Sequence, residues 1–258
     1  MNETQPPSSP ETTAPETTSL ASRLTNVFAA PGEVFDEVKA SEPSVANYMV
    51  PLVLMLVLAV ASTFLIYSQP AIKQQVLEMQ GKAFDKQVAE GKMKAEQAEQ
   101  IKESMEKMDP LIFQSIGVAF VMLATVVGLF FWGLVIWLVG TKGLKGSFSY
   151  MKAVEAVGLA MMIYLLNSVV TTLMIVSMGN VNARPALSMF VGEFDMSNKV
   201  HLLLSSVNLF YIWYAVVLAV ALGRLSGVSF GKAAVWLFGF WIGIRLILTP
   251  LGYGTFFM

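Results

Sequence analysis

The sequence predicts an all-α, polytopic helical membrane protein with five transmembrane helices and a polar helical hairpin between the first two. Three observations predict it. The stretches 47–68, 111–140, 154–178, 200–222 and 233–252 carry almost no charge, and each reaches the about 20 residues a span needs. Of 258 residues, 55% are hydrophobic and only 14% charged, against about 25% charged in soluble domains. The missing charge is missing from those five stretches, as lipid-facing surface requires.

Residues 1–19 are a Pro/Thr/Glu-rich tail. They lack the apolar surface needed to offset ordering entropy and are expected to be disordered. The first basic residue is Arg23, so the basic start and short apolar core of a secretory signal are not seen. The first span is expected to act as an uncleaved anchor. In 20–42, Leu20, Leu24, Val27 and Phe28 fall at helical spacing. Pro31 then opens a second pattern, Val34, Phe35 and Val38, opposite Glu33, Asp36 and Glu37. Two short amphipathic helices fit, lying either on the membrane surface or against the protein's own loops.

The segment 69–110 holds seven lysines and eight acidic residues. Pro70 suits a first helical position. Ile72, Val76, Met79 and Ala83 mark one weak apolar face; Ala98, Ile101, Met105 and Met108 mark a narrow second one. Both ends must return to the same membrane surface, so a helical hairpin is expected, as a solvated extension or a partner-binding arm. Loop 141–153 carries Lys142, Lys145 and Lys152 without an acid, and 223–232 carries Arg224 and Lys232 without one. In a five-span chain these loops share a side. The positive-inside rule makes that side, and the N-terminus, cytoplasmic. The lysine-rich hairpin then lies outside, against the rule.

Within the spans, Arg245 is the one deep charge. A central Arg costs about 2.5–3.5 kcal/mol on insertion scales, so it should face protein or water unless it snorkels. Trp241 lies one turn away for a cation–π contact, and Glu155 is a candidate ion-pair partner. Ser205, Asn208, Ile212, Ala215 and Ala219 would share one face of span four, with Asn208 able to hydrogen-bond across a helix contact. Asn167 and Thr171 form a similar pair in span three. Gly239 and Gly243 form a GxxxG in span five, read as a helix-packing site along with Ala215 and Ala219. The interior surface is expected among spans three to five, with span one lipid-exposed.

Several classes are disfavoured. The net charge of −1 offers no field for nucleic acid. No cysteine and one histidine, His201, leave little for metal sites, and neither metal nor cofactor is expected. No two acids stand at helical spacing within a span, and no nucleotide fingerprint occurs, so an enzyme is not expected.

Residues 143–149 (Gly-Leu-Lys-Gly-Ser-Phe-Ser) lead into span three, 208–214 (Asn-Leu-Phe-Tyr-Ile-Trp-Tyr) open the core of span four, and 219–233 end in Gly-Lys-Ala before span five. Residues 28–35 (Phe-Ala-Ala-Pro-Gly-Glu-Val-Phe) form a short lead-in with a proline. With these motifs the chain, over about residues 24–250, resembles the Yip family of integral membrane proteins, in its bacterial branch. The resemblance implies five spans, a cytosolic N-terminus and a C-terminus across the membrane, here the bacterial inner membrane. Eukaryotic relatives bind prenylated Rab-type GTPases in vesicle traffic. That role is not carried over, because their Asp-Leu-Tyr-Gly-Pro type sequence is absent before span one and the polar hairpin departs from their short loop. The expected function is non-enzymatic: interaction with the lipid bilayer, other membrane proteins or itself, in membrane organisation or trafficking. The alternative is a small-solute transporter or channel lined by Asn167, Asn208, Glu155 and Arg245.

Overall fold

The computed structural model describes residues 18–192, 194–195 and 198–248, apart from the side chains of Arg245 and Leu248. Most of the predicted tail and the last four residues of the predicted fifth span lie outside the described residues. Ten α-helices occur among those described: α1 (Leu20–Ala29), α2 (Pro31–Ala40), α3 (Ala46–Tyr67), α4 (Pro70–Ala89), α5 (Ala95–Glu106), α6 (Pro110–Leu138), α7 (Tyr150–Met178), α8 (Lys199–Ser206), α9 (Leu209–Ser226) and α10 (Phe230–Leu248). Helices α3, α6, α7 and α9 are long and apolar enough to cross a membrane, and the described apolar part of α10, Phe230–Ile244, is shorter. The chain is a helical membrane protein.

Local chemistry sets the helix boundaries. Pro31, Pro70 and Pro110 each open a helix, where their missing N–H has no intrahelical partner to lose. Asp109 accepts from the Leu111 N–H at 2.8 Å and caps α6. Ser149 caps α7, which ends at Gly179 with φ +60°, a left-handed position open to glycine. Beyond α6 the backbone widens into a π-turn over Val139–Gly143, and Lys145 takes φ +62°. This tight turn lets Gly146 sit against Ser226 at the end of α9 and Gly143 against the Trp236 ring of α10.

The turn 139–149, the α9–α10 turn and the pair α1–α2 therefore gather at one end of the bundle. The hairpin α4–α5 stands at the other, held at its base by Gln75. Its Nε2 donates to the Gly179 carbonyl at 2.8 Å and its Oε1 accepts from the Val181 N–H at 3.1 Å. Ile72, Ile175 and Ala183 form a small core beneath that anchor. The pair α1–α2 is not left to lipid. Val27, Val34, Phe35 and Val38 are buried in the main core, packed on α7 and α9, and Arg23 pairs with Glu37 at 3.1 Å.

Two expectations need correction. Span four is not continuous over 200–222. The chain breaks between α8 and α9, where the Leu187 N–H donates to the Val207 carbonyl at 3.0 Å and the Leu209 N–H to the Pro185 carbonyl at 3.1 Å. A loop strand thus takes hydrogen bonds the helix would have used, and the span begins at Leu209. The interior is not confined to spans three to five either. Among the described residues the most extensive helix pairing is α3 with α7, because Gly158 admits the Asn47–Tyr48 backbone. Helix α10 packs on α9 and buries Ala233 and Leu237 in the main core, while its other face is open, with Val235 74% exposed.

Candidate functional site

A buried charged cluster joins α2, α3 and α7 beneath the α1–α2 pair. Glu155 is 0% exposed. Its Oε1 accepts from Asn47 Nδ2 at 2.5 Å, and its Oε2 lies 3.3 Å from Lys152 Nζ. That second contact is ionic only, since Oε2 receives no aligned hydrogen bond. Lys152 Nζ donates instead to the Val38 carbonyl at 2.5 Å and to Ser41 Oγ at 3.5 Å. Lys152 and Glu155 stand three residues apart on α7, one turn into the helix, and so share a face. A cation at the last carbonyls of α2 also meets the negative end of that helix dipole. The cluster fastens α2 to the entrance of the α3–α7 pair. A second tie, Arg224 Nη1 to Asp36 Oδ2 at 3.0 Å, fastens α2 to the end of α9.

Pro51 frees the Asn47 carbonyl at the start of α3. The Pro51 nitrogen cannot donate to the Asn47 carbonyl, so the first turn of α3 is open where Gly158 approaches. A Cβ at Gly158 would fall 2.3 Å from Tyr48 Cβ and 2.4 Å from its Cα.

Nearer the opposite end, Asn208 is buried and has two duties. Its Oδ1 accepts from the Phe210 N–H at 2.8 Å and caps α9; its Nδ2 donates to Asn167 Oδ1 at 3.4 Å. Ser62 and Thr172 make a similar link between α3 and α7, at 2.9 Å. Asn208→Ala is expected to destabilise the fold by about 1–2 kcal/mol, combining a lost cap with an unpaired Asn167. Thermal unfolding in detergent measures it.

Of the site residues expected from sequence, Asn167 and Asn208 come together. Ser205, Asn208, Ala215 and Ala219 are buried, whereas Ile212 is exposed. Thr171 Oγ1 has no hydrogen-bond partner among the described residues. The backbone positions of Glu155 and Arg245 lie at different depths of the bundle. Helices α7 and α10 start at the same end, with Glu155 in the second turn of one and Arg245 near the far end of the other. Their depths differ by roughly 15 Å at the α-helical rise. The side chain of Arg245 lies outside the described residues. Among the described residues Gly239 and Gly243 meet no packing partner, since a Cβ at either would find no described atom within 4 Å.

Sequence reasoning missed three residues. Lys152 reads as a loop lysine; its spacing from Glu155 was the available signal. Gly158 is an unremarkable glycine in an apolar run. Arg184, in the loop after α7, lies over the Phe194 ring at 5.6 Å and donates from Nε to the Asn182 carbonyl at 3.3 Å. Burial holds its guanidinium below its ordinary pKa, although nearby Tyr211 acts in the opposite sense. Among the described residues no three His, Cys, Asp or Glu side chains gather as metal ligands.

Asn47, Glu155, Ser62, Thr172, Asn167 and Asn208 thus fasten helices to one another. Comparison with curated proteins gives no match, and comparison with solved structures gives none. The profile of the Yip1 domain matches residues 25–251, from the middle of α1 to beyond α10, and the chain belongs to the Yip1 domain family.

Proposed function

We propose that this chain is a non-enzymatic membrane protein that acts through protein or lipid contacts in membrane organisation or trafficking. The reading rests on one observation. The interior polar groups Asn47, Glu155, Asn167 and Asn208 are consumed in helix-to-helix contacts, while charged elements project from both ends of the bundle. Loops with basic residues and no acids surround the α1–α2 end, which supports a cytoplasmic assignment for that end, here at a bacterial inner membrane. The hairpin α4–α5, with exposed pairs such as Lys102–Asp85 at 2.6 Å, is then a solvated arm on the opposite side.

Affinity capture of the full chain in native lipid is expected to recover a protein partner or a selectively retained lipid. Recovery of neither overturns the proposal. The transporter alternative has one feature in its favour, a cavity lined by Trp132, Tyr164, Tyr211, Tyr214, Leu237 and Trp241. Its volume of about 10 Å³ is close to the minimum for a single water, which supports packing over passage. Proteoliposomes are expected to show no solute flux. Flux abolished by Arg245→Leu would replace the interaction reading with transport.

A further inference from the structure

The turn between α9 and α10 opens a groove of about 270 Å³ lined by Val220, Gly223, Arg224, Val228, Ser229 and Phe230. Its lining includes both apolar and polar side chains. Val220, Val228 and Phe230 are apolar, and the groove lies where the last turn of α9 meets the first turn of α10. Those are span ends, the depth at which lipid headgroups sit. The polar wall is cationic. The Arg224 guanidinium gives one nitrogen to Asp36 at 3.0 Å, and a guanidinium has five N–H donors to offer. Lys232 is exposed in the first turn of α10, beside the lining, with its own N–H held by Ser229 Oγ at 3.4 Å, so its contribution is the side-chain charge. Lys39 reaches the same turn, its Nζ 3.6 Å from where a Gly227 Cβ would be. Residues 223–232 contain no acid. Phe230 and Trp236, 50% and 46% exposed, flank this cationic patch as interfacial aromatics.

We propose that this groove binds the phosphate headgroup of an anionic phospholipid. Arg224 and Lys232 neutralise the phosphate, and the apolar wall covers the glycerol and the first acyl carbons. A free soluble anion would leave that apolar wall in water, so the amphipathic lining selects lipid. Asp36 competes with the phosphate for Arg224 and ties occupancy of the groove to the seating of α2. The inference rests on the reading of the chain as one that acts through contacts, and deepens its lipid arm.

The test uses the full chain in nanodiscs holding equal amounts of phosphatidylcholine and phosphatidylglycerol, with retained lipids counted by native mass spectrometry. Wild type is expected to retain phosphatidylglycerol over phosphatidylcholine by roughly fivefold or more, the factor of about one basic contact at a membrane surface. Arg224→Gln with Lys232→Gln is expected to return retention to the bulk ratio. Asp36→Asn is expected to raise it, because the competing carboxylate is gone. General loss of structure would instead lower retention in both variants. No preference in wild type, an unchanged preference in the Arg224/Lys232 variant, or lowered retention in Asp36→Asn overturns the proposal. So does inorganic phosphate that stabilises delipidated protein as much as phosphatidylglycerol does, since the ligand would then be a soluble anion. If lipid preference fails while affinity capture still recovers a protein partner, the groove assignment falls and the broader reading stands.

Discussion

Glu155→Leu is expected to destabilise the membrane domain by about 3–5 kcal/mol, the cost of leaving one member of a buried ion pair uncompensated. Lys152 would keep its contact with the Val38 carbonyl but would lose its counter-charge, and Asn47 Nδ2 would lose its acceptor. Lys152→Met leaves Glu155, fully buried, without its neighbouring cation and is expected to be as damaging. The double variant is expected to recover most of the loss, because replacing both charges with apolar groups of similar volume is often neutral. A thermodynamic cycle over the four proteins measures the coupling. Limited proteolysis supplies a readout specific to α2. Lys152→Met also removes the donor to Val38 and should expose the segment after Ala40 to cleavage, whereas Thr171→Val, away from α2, should not. Four additive stabilities, with unchanged cleavage, would remove the cluster's role as a fastening.

Gly158→Ala is expected to cost at least the about 1–3 kcal/mol typical of overpacking. The added Cβ meets the Tyr48 Cα at 2.4 Å, and backbone cannot rotate out of the way as a side chain can. Helices α3 and α7 must separate, which loosens Leu52 and weakens the Ser62–Thr172 bond further along the same contact. Gly158→Leu is expected to prevent assembly. Gly239→Ala and Gly243→Ala supply the contrast, since nothing in the described chain opposes a methyl at either place. Their unfolding temperatures in detergent should match wild type. A Gly158→Ala protein as stable as Gly239→Ala would show that α3 and α7 do not approach this closely.

Much of the architecture was legible along the chain because a bilayer imposes a one-dimensional rule. Apolar length alone marks α3, α6, α7 and α9, and Pro31 and Pro70 mark where α2 and α4 begin. The break before α9 falls at Ser205-Ser206-Val207-Asn208, a short polar interruption in an otherwise uncharged stretch, which the span length masked. What interrupts the helix there is pairing with residues 185–187, a partner more than twenty positions away. The candidate site was half legible. Asn167 and Asn208 stand out as amides in hydrocarbon and do meet. The GxxxG of Gly239 and Gly243 looked like the packing signal, yet the close approach is at Gly158. Small size permits contact, but only the arrangement of neighbours brings a surface near enough to use it.

By itself the sequence determined the solvent, the helical class, the number of apolar stretches and the polar hairpin. Each follows from local cost: an uncharged segment of span length, backbone hydrogen bonds satisfied within it, and charges excluded from lipid. Only the tertiary structure decided what the polar residues do. Lys152 could be a loop charge or a buried tie, and Glu155 could face Arg245 or Asn47. These alternatives differ in no local term. They are separated by the depth and rotation of helices against one another, which the close Gly158–Tyr48 contact and the docking of α2 on α7 and α9 set together.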